Sequence, residues 1–216
     1  MPIDDPLNLN RVMPAEGMGI AHMEYNAIVA DLLDFIAVDG PDEAAFNRMA
    51  LRLFAYQFEN NKPFAKFIRA RGKTPRTVQS WTDIPAVPIN AFKTLDLTCC
   101  PHVDAVAVFM TSGTTLGGLR GKSYHSTLKV YDASMSRNFA KRFMVGREQM
   151  DMGILFPTTA MMPNSSLAHY LNLAVQTFGT SGSAHLIGND GIDFVRLMAD
   201  LTRAEEIGQP YGLLGA

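Results

Sequence analysis

The chain has 216 residues, 47% of them apolar and 19% charged, with a formal net charge of −2. That apolar content suffices for a buried core, while the near-balanced charge excludes a basic footprint for nucleic acid and a polybasic segment for an anionic membrane. Apolar runs fall far short of the roughly 18 residues of a spanning helix, and the acidic start Met1-Pro2-Ile3-Asp4-Asp5 is not a signal peptide, so no membrane span and a cytoplasmic location are expected.

Residues 1–73 read as an N-terminal helical segment. Ile20, Met23, Val29, Leu32, Leu33 and Ile36 recur at helical spacing, and Phe46, Met49, Ala50, Leu53, Phe54 and Phe58 do so in the next stretch. Pro41 suits a first helical turn, with Asp42 and Glu43 near the positive end of the macrodipole. Between Thr74 and Pro101 the prolines and the lack of periodicity predict an extended segment that wraps the fold, with Trp81 and Phe92 covering core surface and Asn90 and Lys93 in solvent.

From Asp104 onward the pattern alternates: strand 104–110, a glycine loop, helix 127–144, strand 152–156, helix 166–178, strand 184–188, helix 192–207 and strand 211–215. Such alternation predicts an α/β fold, a mainly parallel sheet with covering helices, occupying residues 74–216. Gly146 and Gly179 fall where helix C-caps belong, Ser165 or Ser166 can cap the helix at 166, and Asn189-Asp190-Gly191 precedes the last helix. Ligands of open α/β sheets collect outside the carboxyl ends of strands, where Thr111 to Thr115 stand.

Residues 106–126 bring an apolar strand straight into hydroxyls, glycines and cations. Thr111, Ser112, Thr114 and Thr115 can donate to phosphate oxygens, Gly113 and Gly117 allow close backbone approach, and Arg120 and Lys122 add charge. Ser, Thr and Gly clusters are also ordinary turn material, but the order of strand, Thr-Ser-Gly-Thr-Thr and trailing cations favours an anion site. Gly121-Lys122-Ser123 supplies the second half of a Walker A loop, yet Leu116 stands where its first glycine belongs, leaving a P-loop NTPase as a minor alternative.

Thr111 to Thr115, followed by cations and by His125 immediately before a predicted helix, resemble the phosphate signature of adenylate-forming enzymes. Leu116 replaces that signature's last glycine and Leu119 its usual lysine, so Arg120 and Lys122 are alternatives for the cation. Residues 46–58, the run Ile84-Pro85-Ala86-Val87-Pro88-Ile89-Asn90-Ala91-Phe92-Lys93, and Ser165-Ser166-Leu167 resemble the acyl-protein synthetase (LuxE) family, which is related to phenylacetate-CoA ligases.

The resemblance implies ATP- and Mg²⁺-dependent activation of a carboxylic, fatty or other acyl, acid to an acyl-adenylate, then transfer to a thiol, with an acyl-acceptor protein of reductase type as partner. It implies that Thr111, Ser112, Gly113, Thr114, Thr115 and Gly117, with Arg120 or Lys122, hold phosphate, and makes His125 the candidate catalytic residue. Family members are longer. The chain is therefore expected to be an incomplete adenylate-forming large domain, truncated at its C-terminus and inactive alone, with the adenine-binding segment, the Mg²⁺-binding acidic residue, the lid and the acceptor cysteine beyond Ala216. The contrasting expectation is a non-catalytic domain that docks on a partner chain.

The adjacent Cys99 and Cys100 cannot easily form a relaxed disulfide and read as reduced structural thiols. His22, His102, His125, His169 and His185 lack metal-ligand spacing. His169 reads as a helix-surface residue, and no Gly-x-Ser-x-Gly elbow supports serine-hydrolase chemistry. Met161 and Met162 read as a loop tucked against the domain.

Overall fold

The computed structural model describes residues 20–111 and 120–216. Three helices come first: α1 (Ile20–Ala37), α2 (Glu43–Asn60) and α3 (Lys62–Arg69). Asp42 is extended and caps α2, its carboxylate accepting from the Ala45 N–H at 2.6 Å. Pro41 therefore precedes the cap and does not enter the first turn. Asn61 joins two helices: its N–H donates to the Gln57 carbonyl at 2.9 Å, and its side-chain oxygen accepts from the Phe64 N–H at 3.0 Å. A side-chain cap of this kind stabilises by about 1 kcal/mol.

Phe54, Phe58, Phe64 and Ile68 form the core of this helical part, and Val78 of the following strap is buried against them. The strap wraps the helices as its prolines predict. It is interrupted by a 3₁₀ turn at Trp81–Asp83 and by a short helix α4 (Ala91–Thr94). Trp81 packs edge-on against Phe46, with ring centroids 5.3 Å apart.

The remainder contains β1 (Ala107–Met110), β2 (Lys122–His125), α5 (Lys129–Phe139), β3 (Asp151–Leu155), α6 (Ser166–Phe178), β4 (Ala184–His185), β5 (Ile187–Gly188), β6 (Gly191–Ile192), α7 (Phe194–Ile207) and β7 (Tyr211–Gly215). α5 runs on through a π-helical turn, Ala140–Met144, and Val145 and Gly146 end it with φ of 48° and 83°. Strands β4, β3 and β7 form a parallel sheet in that order. This is the mixed helix and parallel-sheet arrangement that alternation predicts.

Two predicted features differ. β1 does not join the parallel sheet; it pairs antiparallel with β2, Ala107 opposite His125 and Met110 opposite Lys122. The segment 184–188 splits at Leu186, and Asn189-Asp190 turns a small β5–β6 hairpin before Asp193 caps α7. Both differences arise from strands of two to four residues, too short to show a period.

Met152 and Ile154 of β3 are fully buried beneath α5 and α6, where Met135, Phe139, Leu171 and Ala174 pack on them. A Cβ at Gly153, between them, would stand 2.4 Å from the Tyr211 hydroxyl of β7, so a side chain there would force Tyr211 to shift. From β3 the chain moves to β4 on one side and then crosses to β7 on the other. The carboxyl end of β3 is thus where strand order reverses, the position at which α/β sheets form ligand crevices.

Candidate functional site

Two hydrogen bonds close the β1–β2 hairpin at its loop end: the Thr111 N–H donates to the Gly121 carbonyl at 3.0 Å, and the Gly121 N–H donates to Thr111 Oγ1 at 2.9 Å. The glycine loop therefore leaves and re-enters the fold at adjacent points. Thr111, Arg120 and Lys122 are exposed around that neck. Ser112, Gly113, Thr114, Thr115 and Gly117 lie outside the described residues. Gly121 is buried against α4, and a Cβ there would meet the Phe92 carbonyl oxygen at 3.0 Å. A side chain at 121 would push the neck off the strap.

Beneath the neck is a cleft of about 330 Å³. Ile89, Phe92, Phe109 and Met110 give it apolar walls, and Lys93 and Lys122 border it. The strap thus contributes Lys93 to the cleft wall, where the sequence reading put it in solvent. The Met110 N–H donates to the Asn164 carbonyl at 2.9 Å, which ties β1 to the loop that follows β3. That loop ends at Ser165, whose side chain caps α6 by accepting from the Ala168 N–H at 3.2 Å. Ser166 also lines the cleft. Hairpin neck, carboxyl side of β3 and N-terminal end of α6 therefore converge.

His125 precedes the helix α5, which starts at Lys129, but it does so as the last residue of a strand, because Lys122–His125 pair with β1. Its Nε2 lies 3.1 Å from Ser123 Oγ. Its ring is 5.0 Å from that of Phe109, which also contacts Tyr131 and His169 at 5.6 and 5.7 Å. Burial first, and repulsion from His169 second, hold the His125 imidazole below its ordinary range. It is neutral near pH 7, so positive charge at the cleft has to come from Arg120, Lys122 or Lys93.

His169 is not a plain helix-surface residue: its Nε2 is 2.7 Å from Asp132 Oδ1. Ser123 and Asp132 were missed by sequence reasoning. The first would have needed strand β2, on which residues two apart share a face; the second is 37 positions from its partner. Cys99 and Cys100 are free thiols beside a separate cavity of about 250 Å³ against α1 and α2, and burial with the neighbouring Cys100 pushes the Cys99 thiol up to about 11. Met161 and Met162 are exposed, not tucked away.

Lys122 and Ser123 occupy a strand, whereas a Walker A loop places its Lys-Ser/Thr at the opening of a helix, so the P-loop alternative is not favoured. Among the described residues no cluster of three His, Cys, Asp or Glu side chains could hold a metal ion, and no helix is long and apolar enough to cross a membrane.

No protein-family model matches the chain, and no solved structure matches it. Over 172 residues it is 24% identical to the long-chain-fatty-acid–luciferin-component ligase of Vibrio harveyi. The aligned part covers 78% of this chain and 44% of the ligase, so the chain spans about half the length of that relative. This likeness agrees with the resemblance to the LuxE family carried by residues 46–58, 84–93 and 165–167.

Proposed function

We propose that the chain belongs to an acyl-activating ligase, in which a carboxylic acid reacts with ATP to give an acyl-adenylate that is then passed to a thiol. The observation that carries this reading is the 172-residue likeness to a fatty-acid ligase. The apolar cleft under the neck of the Thr111–Thr115 loop supports it, since an apolar acid and a polyphosphate need adjoining apolar and cationic walls.

In this reading ATP enters as substrate together with Mg²⁺. The exposed hydroxyl and cations at the described part of the neck suit a polyphosphate. Ser112, Gly113, Thr114, Thr115 and Gly117 hold the β- and γ-phosphates with Thr111, while Arg120 or Lys122 offsets charge on the departing pyrophosphate. The acid's carboxylate attacks the α-phosphorus with its alkyl part against Phe92 and Phe109. Positioning and electrostatics do most of the work in such transfers. His125, neutral and packed on Phe109, is a hydrogen-bonding group behind the reacting carboxyl, not a source of charge.

The test is carboxylate-dependent exchange of labelled pyrophosphate into ATP by the whole ligase of which this scheme makes the chain a part, run across aliphatic acids of increasing length. Exchange that saturates with an apolar acid is expected, with a loss of roughly a hundredfold or more in the Ser112→Ala, Thr114→Ala double variant. Nucleotide binding left unchanged by that double variant would remove the loop from the scheme. Absence of exchange by the whole ligase with every acid would remove the scheme itself.

A further inference from the structure

Ser123 and His125 lie two residues apart on β2, on one face of the strand, with Oγ and Nε2 3.1 Å apart. The register sets Phe109 opposite Ser123, so the pair shares its face with an aromatic wall of the cleft. An activated serine needs an accessible hydroxyl, a neutral base in contact with it, and a fixed base ring. Ser123 is exposed and lines the cleft. His125 is neutral for the reasons given above, and packing on Phe109 at 5.0 Å holds its ring. Asp132 pairs with His169, which leaves the His125 Nε2 to Ser123. The N-terminal end of the 13-residue α6, with Ser166 on the cleft wall, brings the positive end of a helix dipole to the same cleft.

We infer that Ser123 is a covalent acyl acceptor, taking the acyl group of an activated acyl donor bound in the apolar cleft, with His125 as its general base. The inference rests on the proposed ligase reading only for the natural donor, an acyl-adenylate. Ser123 Oγ attacks the carbonyl carbon and its proton passes to His125 Nε2. A new C–O ester bond forms as the C–O bond to the phosphate of AMP breaks, and AMP leaves with the bonding electrons. Once His125 has released its first proton to solvent, a thiol can attack the seryl ester: the thiol proton passes to His125 Nε2 and on to Oγ as the bond between Oγ and the acyl carbon breaks, and sulfur keeps the acyl group. No oxidant or reductant is required. Cys99 is a poor competitor, because its half-buried thiol, pushed up to about 11, stays protonated at neutral pH.

The experiment omits ATP. The chain is mixed with p-nitrophenyl octanoate, nitrophenolate release is followed, and the product is examined by intact mass and peptide mapping. Expected is a burst close to one equivalent per chain and one octanoyl group on the tryptic peptide Ser123–Lys129, localised to Ser123 by fragmentation. Ser123→Ala should lose that adduct, and His125→Gln should slow the burst roughly a hundredfold. Ser123→Cys should keep acylation at position 123, which guards against loss by misfolding. An adduct on Ser126, Lys122 or either cysteine, acylation that survives in Ser123→Ala, or a Ser123→Cys variant that stays unlabelled would overturn the inference. Since the donor is a preformed ester, failure of pyrophosphate exchange speaks against the ligase reading alone.

Discussion

The two ends of β3 follow opposite rules. At the amino end Asp151 accepts from Thr180 Oγ1 and from Arg203 Nη2, the latter at 2.7 Å. Nearby Asp200, 5% exposed, accepts from Arg196 Nε at 2.8 Å and from the Tyr211 hydroxyl at 3.4 Å. Burial and then the Asp200 charge push that hydroxyl up to about 12, so it remains a donor at any physiological pH. At the carboxyl end Thr111, Arg120, Lys122 and Ser123 are exposed, and among the described residues Arg120 and Lys122 form no ion pair. Buried polar groups must be satisfied or they destabilise. A satisfied network therefore holds a shape, whereas donors left at a cleft are available to a ligand.

The strongest way to break this contrast is to damage the sheet without touching the cleft. Ile154→Ala removes a fully buried side chain from the centre of the α5–β3–α6 core and should cost about 2–5 kcal/mol. Urea unfolding would read that loss as a lower midpoint. The acylation burst of the molecules still folded should be unchanged. A burst that falls in proportion to stability would show that the two ends are one mechanical unit and that the contrast has no functional meaning.

Gly121→Ala reverses the emphasis. The added methyl meets the Phe92 carbonyl oxygen at 3.0 Å, a backbone atom that can give way only if α4 or the neck shifts. Overpacking at one partly flexible site should cost about 1 kcal/mol, a fall in melting temperature of about 2–4 °C. The loop and the cleft share that neck, so binding of nucleotide and acyl donor should weaken by roughly tenfold to a hundredfold. Calorimetric titration showing full affinity in this variant would separate the cleft from the loop.

The elements that were legible before the structure are those whose signals are local. The bounds of α6 at residues 166–178 and of β7 at 211–215 coincide with their predicted ranges, because Ser165 offers a cap and Gly208 with Pro210 breaks the chain before a short apolar run. β2 was illegible. Lys122-Ser123-Tyr124-His125 carries no apolar alternation, and what makes it a strand is its pairing with Ala107–Met110 across the glycine loop. That omission hid the chemistry too, since Ser123 and His125 become partners only when a strand turns both to one face. The hydroxyls and cations around the loop were legible as types, but the apolar wall from Ile89 and Phe92 depends on how the proline-rich strap folds back beneath the neck.

The smallest expected effect concerns His125 and sharpens the contrast from the cleft side. Burial, with His169 as the second cause, lowers the folded-state pKa of this imidazole from the ordinary 6.5. The unfolded chain therefore takes up its proton at higher pH than the folded one. The contribution is fully present above pH 6.5 and is lost as pH falls through the window beneath it, until the folded imidazole also protonates. Between about pH 6.5 and 5 the melting temperature of the wild-type chain should fall more steeply than that of His125→Gln. His169→Gln removes only the second cause and should retain most of the slope. Identical slopes in wild type and His125→Gln would mean that His125 is as hydrated in the folded chain as in the unfolded one. In that case its neutrality beside Ser123 would follow from ordinary titration, and the packing of Phe109 would add nothing to the activation of the serine.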